Sequence, residues 1–236
     1  MAEEAKDTER ERAFLACVTE VARLLQVDTD RAGTTARGRA RALAGAVKGP
    51  LLERAHLPDE LFVPLMTAAV HDPDPSFCGW FVEPALYCFG RRRVLEALVA
   101  YLRTGTDLER AGATQAWYWA HMPLRAHRSP AYAPDGARDP AIDLSRNAEA
   151  AWLEVSMQVL AEGRDVGVRN RLLRMLPISR EAYPPGLRDL FERSLSAART
   201  DPDEDIRRWA RAADRAGSRD GDGVHGKPVE RWPSGS

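Results

Sequence analysis

The sequence predicts an all-α protein: a stack of antiparallel helical hairpins, an α-solenoid, with an inserted loop. Three observations carry this. Apolar residues recur at helical spacing through most of the 236 residues. The helical stretches are joined by a recurring acidic turn, which reads His71-Asp72-Pro73-Asp74-Pro75, Gly105-Thr106-Asp107, Gly163-Arg164-Asp165 and Thr200-Asp201-Pro202-Asp203. One segment, His121 to Asp143, breaks the pattern with four prolines. Repeated helical hairpins cannot bury their apolar faces singly and stack to do so, which leaves an extended surface for a partner.

The elements follow in order. From Thr8 to Gln26, a stripe of Phe14, Leu15, Val18, Val21, Ala22 and Leu25 predicts an amphipathic helix. Asp28 or Thr29 is placed to cap a second helix reaching about Val47, with Gly49-Pro50 as its stop and a short helical piece, Leu51 to His56, after it. These residues, 1–57, are read as an N-terminal helical cap. Asp59 to Val70 carries Leu61, Phe62, Leu65, Met66 and Ala69 on one face. Its partner is expected over Pro75 to Phe89, bent at Pro84 and stopped by Gly90. Arg91 to Arg103 presents Val94, Leu95, Leu98, Val99 and Leu102, and its partner runs from Asp107, read as the N-cap, to about Ala120. These hairpins span 58–121, and residues 122–144 are read as the inserted Pro-rich loop.

Helices are expected to resume at Ser145, a candidate N-cap, with Trp152, Val155, Val159 and Leu160 as the apolar face up to Gly163. Asp165 to Leu176 is the partner, ended by Pro177. Pro184-Pro185 opens a last pair, with Leu187, Leu190, Phe191, Leu195 and Ala198 facing inward before Asp203 to about Ala216. The second set of hairpins spans 145–216. Residues 217–236, rich in Gly, Asp, Ser and Pro, read as a disordered tail.

Aligned on their second helices, the pairs share a finer pattern. Asp74, Asp165 and Asp203 are each followed three positions later by an apolar residue, Phe77, Val168 and Ile206, and in the last two an arginine comes next, Arg169 and Arg207. This acid-turn, apolar-arginine pattern resembles HEAT repeats over about Asp59 to Ala216. The resemblance implies a right-handed stack in which the turn acid caps the second helix and the arginine braces neighbouring units. Cys78 stands where one arginine would fall, and the pair at Asp107 is displaced in register because Leu108 follows the acid directly.

Composition bounds the function. A net charge of -1 supplies no global field for nucleic acid or an anionic membrane, so nucleic acid is disfavoured as a partner. No apolar run approaches a membrane span, and the acidic start of the chain has no apolar secretory core. Three cysteines, Cys17, Cys78 and Cys88, form no CxxC pair, and Cys78 and Cys88 read as small core residues, so a cytoplasmic protein is expected. No phosphate-binding loop, dinucleotide fingerprint or nucleophile elbow is present, and no His or Cys spacing resembles a metal-ligand set, so neither cofactor nor metal is expected.

The expected role is a non-enzymatic scaffold or adaptor that holds a protein or peptide in a concave groove. The resemblance places second helices on that side. One face of the helix after Pro75 carries Ser76, Trp80, Glu83 and Tyr87. The same offset gives Thr114 and Tyr118, then Arg171 and Arg174, then Trp209. Trp117 and His121 belong to the aromatic, basic cluster at the base of the loop. Aromatics and arginine dominate binding hot spots, and the other reading of the tryptophans is packing between repeats. Two further readings remain. One is a nucleic-acid-binding protein of the DNA-repair type, which needs a continuous groove of Arg91, Arg92, Arg125, Arg171 and Arg174. The other is a small enzyme using the loop, with Glu83 and His121 as acid and base.

Overall fold

The structure, a computed structural model, describes residues 2–28, 35–54, 56–122 and 145–220. Ten α-helices and no strand occur among them. The chain divides into two compact units, Met1–Ala151 and Trp152–Ser236, and the division falls inside one helix, Arg146–Glu162.

In the first unit, α1 (Ala2–Leu25) buries Phe14, Val18, Val21, Ala22 and Leu25, all at the expected spacing of three or four, while Leu15 stays half-buried. It ends at Gln26, whose φ of 58° lets the Val27 N–H return to the Ala22 carbonyl at 2.9 Å. α2 (Ala36–Glu53) differs from expectation at both ends. Its cap is Thr35, which accepts from the Gly38 N–H at 3.1 Å, in place of Asp28; Thr29 lies outside the described residues. It also continues through Pro50 to Glu53. Val47 and Leu51, four apart and both buried, hold the chain helical on either side of the proline.

A 3-10 turn, Asp59–Leu61, leads into α3 (Phe62–His71), and every residue of the expected apolar face is buried. α4 (Gly79–Phe89) begins four residues later than Pro75, because Pro75 to Cys78 form turns; Pro84 lies inside it. Gly90, at φ 82°, closes α4 and opens α5 (Arg91–Thr104) with no residue between. α6 (Asp107–Ala120) is capped by Thr106, not Asp107. The Thr106 hydroxyl accepts from the Glu109 N–H at 3.3 Å, and Glu109 returns to the Thr106 N–H at 2.7 Å. α3 lies at the centre, packed against α1, α4, α5 and α6. The closest approach is at Gly112 of α6, where an added Cβ would stand 1.8 Å from the Val70 carbonyl oxygen.

Ser145 precedes α7 (Arg146–Glu162) and accepts the Glu149 N–H at its carbonyl. In the second unit, α8 (Val166–Leu173) is capped by Asp165, which accepts from the Val168 N–H at 2.9 Å, and ends short of Leu176 in tight turns. A 3-10 turn, Pro185–Leu187, opens α9 (Arg188–Arg199), and α10 (Glu204–Asp220) continues past Gly217. The core gathers Met157, Leu160, Tyr183, Phe191, Leu195 and Trp209. Tyr183 lies 4.7 Å from Phe191 between ring centroids and donates its hydroxyl to the Pro177 carbonyl. The expected loop, apart from Met122, and the tail beyond Asp220 lie outside the described residues.

The capping residues bring the arginines into register. Four positions after Thr106, Asp165 and Asp203 stand Arg110, Arg169 and Arg207. Arg110 Nε donates to the Leu102 carbonyl at 3.1 Å and Arg169 Nε to the Leu160 carbonyl at 2.9 Å, while Arg207 donates to the Asp201 carbonyl. Each satisfies a carbonyl at or beyond the end of the preceding helix, where intrahelical donors run out. The apparent displacement at Asp107 is therefore one of cap identity.

The two Asp-Pro-Asp turns repeat one geometry. Asp72 Oδ1 accepts the Asp74 N–H and Asp201 Oδ1 the Asp203 N–H, both at 2.9 Å. Asp74 and Asp203 each accept a further N–H two residues on, from Ser76 and Asp205. An arginine clamps each turn within its own unit: Arg41 on Asp72 and Arg169 on Asp201.

Candidate functional site

The densest expected site lies where α6 meets the turn before α4. The Trp119 ring lies over Gly79, whose added Cβ would meet it at 2.7 Å. Its Nε1–H donates to the Pro75 carbonyl at 2.8 Å. With Trp119 fixed on two sides, the next ring, Tyr118, stands edge-on to it at 6.2 Å and is 59% exposed. Pro75, Ser76, Gln115, Tyr118 and Trp119 line a shallow depression of about 360 Å³. Gln115 Oε1 accepts from Arg10 at 3.3 Å, and the same arginine donates to the Asp72 carbonyl, which fixes the floor to the turn.

Thr114 and Trp117 are buried in α6, at 3% and 5% exposure, and do not reach this surface. Thr114 returns its hydroxyl to the Ala111 carbonyl at 2.7 Å. α6 packs against α3, α4 and α5, so most of its circumference is inside, and beyond its first residue, Asp107, only Tyr118 is exposed. His121 lies 4.8 Å from Trp117 between ring centroids, its Nδ1 2.8 Å from the Trp117 carbonyl and its Nε2 4.0 Å from Glu149. Burial pushes the imidazole pKa down and the Glu149 carboxyl up. An acid facing His121 is thus Glu149.

Trp80 is half-buried on α4 beneath cations from α2. Lys48 Nζ lies 4.4 Å above its ring, and Arg41 lies 4.4 Å over Phe77, itself 4.6 Å from Trp80. Such contacts favour an aromatic ring already satisfied within the unit. Glu83 and Tyr87 are half-buried on the same helix. The arginine run is engaged as well: Arg91 donates to the Ala120 carbonyl, Arg92 pairs with Glu96 at 3.0 Å, and Arg93 pairs with Asp59 beside Phe62.

In the second unit, Arg171 on α8 and Arg174, the residue that follows its last turn, are exposed. Arg174 borders a groove of about 370 Å³ between α8 and α10, lined also by Asn170, Leu173, Asp205, Arg208 and Trp209. Trp209 is largely core, 6.0 Å from Phe191 between centroids. Gln115, Asn170 and Arg208 were not singled out by the sequence. Asn170 and Arg208 neighbour residues that were, and only the pairing of α8 with α10 brings them together.

No group of three or more His, Cys, Asp or Glu side chains suited to a metal ion occurs among the described residues, and no helix among them is long and apolar enough to cross a membrane. No family model matches the chain, and no curated protein or solved structure is significantly similar to it.

Proposed function

We propose that the chain is a non-enzymatic scaffold or adaptor, built from HEAT-like hairpins in a right-handed stack, that binds a protein or peptide partner. The observation that carries this is Tyr118. It is a large aromatic ring, mostly in solvent, on a helix whose other aromatics are locked in place. A rigid neighbour holds it, and the polar Ser76 and Gln115 border it. An exposed ring with a fixed backing and a polar rim suits a protein contact, since tyrosine contributes large contact area at low entropic cost.

The nucleic-acid reading is less well supported. Arg91, Arg92 and Arg93 are engaged by a carbonyl and two carboxylates, and Arg125 lies outside the described residues. The test is affinity capture from lysate of the protein's own source, with and without nuclease, read by mass spectrometry. A stoichiometric protein that survives nuclease and is lost with Tyr118→Ala, at unchanged melting temperature, supports the adaptor. Nucleic acid alone, released by salt, transfers support to the other reading.

A further inference from the structure

Two side chains of the groove between α8 and α10 each carry a buried polar atom with no partner. Trp209 Nε1–H is a donor on a side chain 6% exposed, and Asn170 Oδ1 is an acceptor; both atoms are buried and neither makes a hydrogen bond. Both side chains line the same groove. Burying such an atom without a partner carries its full desolvation penalty, and few are left so in a folded protein. The pair differs from a packing defect in being complementary, one donor and one acceptor. A bound carboxylate would satisfy the indole alone, and an ammonium would satisfy the amide oxygen alone. A peptide group brings a carbonyl and an N–H together and satisfies both.

The rim adds charge. Arg208 is paired with Asp205 at 2.7 Å, whereas Arg174 is exposed and forms no ion pair among the described residues. Leu173 adds an apolar side chain to the lining. We infer that this groove binds an extended acidic peptide, with one backbone amide between Trp209 and Asn170 and a carboxylate side chain on Arg174. Asn170 is half-buried. This names a partner class for the adaptor reading and rests on it. The groove belongs to a different unit from Tyr118, so loss of either surface is seen separately.

The test uses the isotope-labelled full chain and watches the Trp209 indole N–H resonance, identified with Trp209→Phe. The probe is a short capped peptide of alternating alanine and glutamate. Saturable movement of that resonance is expected, with affinity falling about tenfold in Arg174→Glu and at least as much when the probe's backbone amides are methylated. The Val63→Ser chain, changed at an exposed position of the first unit, should bind the probe unchanged. The inference is overturned if the probe leaves the resonance in place, if a lysine-for-glutamate probe binds equally, or if methylation has no effect. It is also overturned if the indole N–H is already hydrogen-bonded in the free chain. Dependence on protein concentration would then identify a second copy as the occupant, and independence would identify the chain's own C-terminal segment or a buried water.

Discussion

Arg41 grips Asp72 with both terminal nitrogens, at 2.6 Å to Oδ1 and 3.2 Å to Oδ2, from 31 residues away. The carboxylate is wholly buried and also fixes the turn through the Asp74 N–H. Asp72→Ala should therefore leave a partly buried guanidinium unpaired and lower stability by about 3–5 kcal/mol. Urea denaturation of the full chain checks this, and a change within about 1 kcal/mol would place the pair with ordinary surface bridges.

The equivalent carboxylates titrate in opposite directions. At Asp201, burial raises the pKa, but Arg169, the Asp203 N–H and the charge of Arg207 outweigh it, and the group titrates below the ordinary range. At Asp72 burial wins over Arg41, and the pKa stands above it. A depressed folded pKa gives stability that is present above the unfolded value, about 3.9, and lost as pH falls below it. Asp201→Asn should make the acid branch of the stability profile shallower. A raised folded pKa has the opposite sign, so stability falls as pH rises from the unfolded value through the folded one, and Asp72→Asn should remove that decline.

At Gly112 the obstacle to a side chain is backbone on both sides. Gly112→Ala should cost about 1–3 kcal/mol or more, because neither α3 nor α6 can yield without moving buried Val70 or Ala113. Thermal unfolding should fall by about 2–4 °C for each kcal/mol in a chain of this size.

Much of the fold is legible in the sequence because local patterns determine it. The stripes of α3 and α5 are buried as their spacing predicts. The cap of α6 was also present, as Thr106 with Glu109 three residues on, and reading Asp107 in its place took the acid for the cap when the pair made it. The Arg41–Asp72 clamp was not legible, since nothing local joins residues of α2 to a turn beyond α3. The candidate site divides the same way. Helical spacing put Thr114 and Tyr118 on one face, but three neighbouring helices decide that Thr114 is inside and Tyr118 outside. Tyr183, one of the largest fully buried side chains, sits in a Pro-rich stretch with no periodicity to announce it.

The adjacent rings on α6 should respond in opposite ways. Trp119→Phe removes the donor to Pro75 and should lower stability by roughly 1 kcal/mol. Tyr118→Ala should leave the melting temperature within about 1 °C, because the ring is mostly in solvent.

Two of the three cysteines, Cys17 and Cys78, should be slow to react. Burial pushes the Cys17 thiol up to about 11 and the Cys78 thiol up to about 12. At pH 8 only about one Cys17 in a thousand is thiolate, the reactive form. Alkylation of the native chain should therefore leave both unmodified, and labelling at the rate of a free thiol would show that these sites open.

Gly90 is the whole of the connection between α4 and α5. It takes the last amide bond of one helix, from its N–H to Leu86, and gives its carbonyl to the first bond of the next, from Val94. A residue added just inside α5 would turn everything after it by about 100° about the helix axis and carry Leu95, Leu98 and Leu102 off the core. Descendants of this sequence can thus exchange side chains around the joint, but insertions and deletions there are closed to them, and length variation must accumulate elsewhere in the chain.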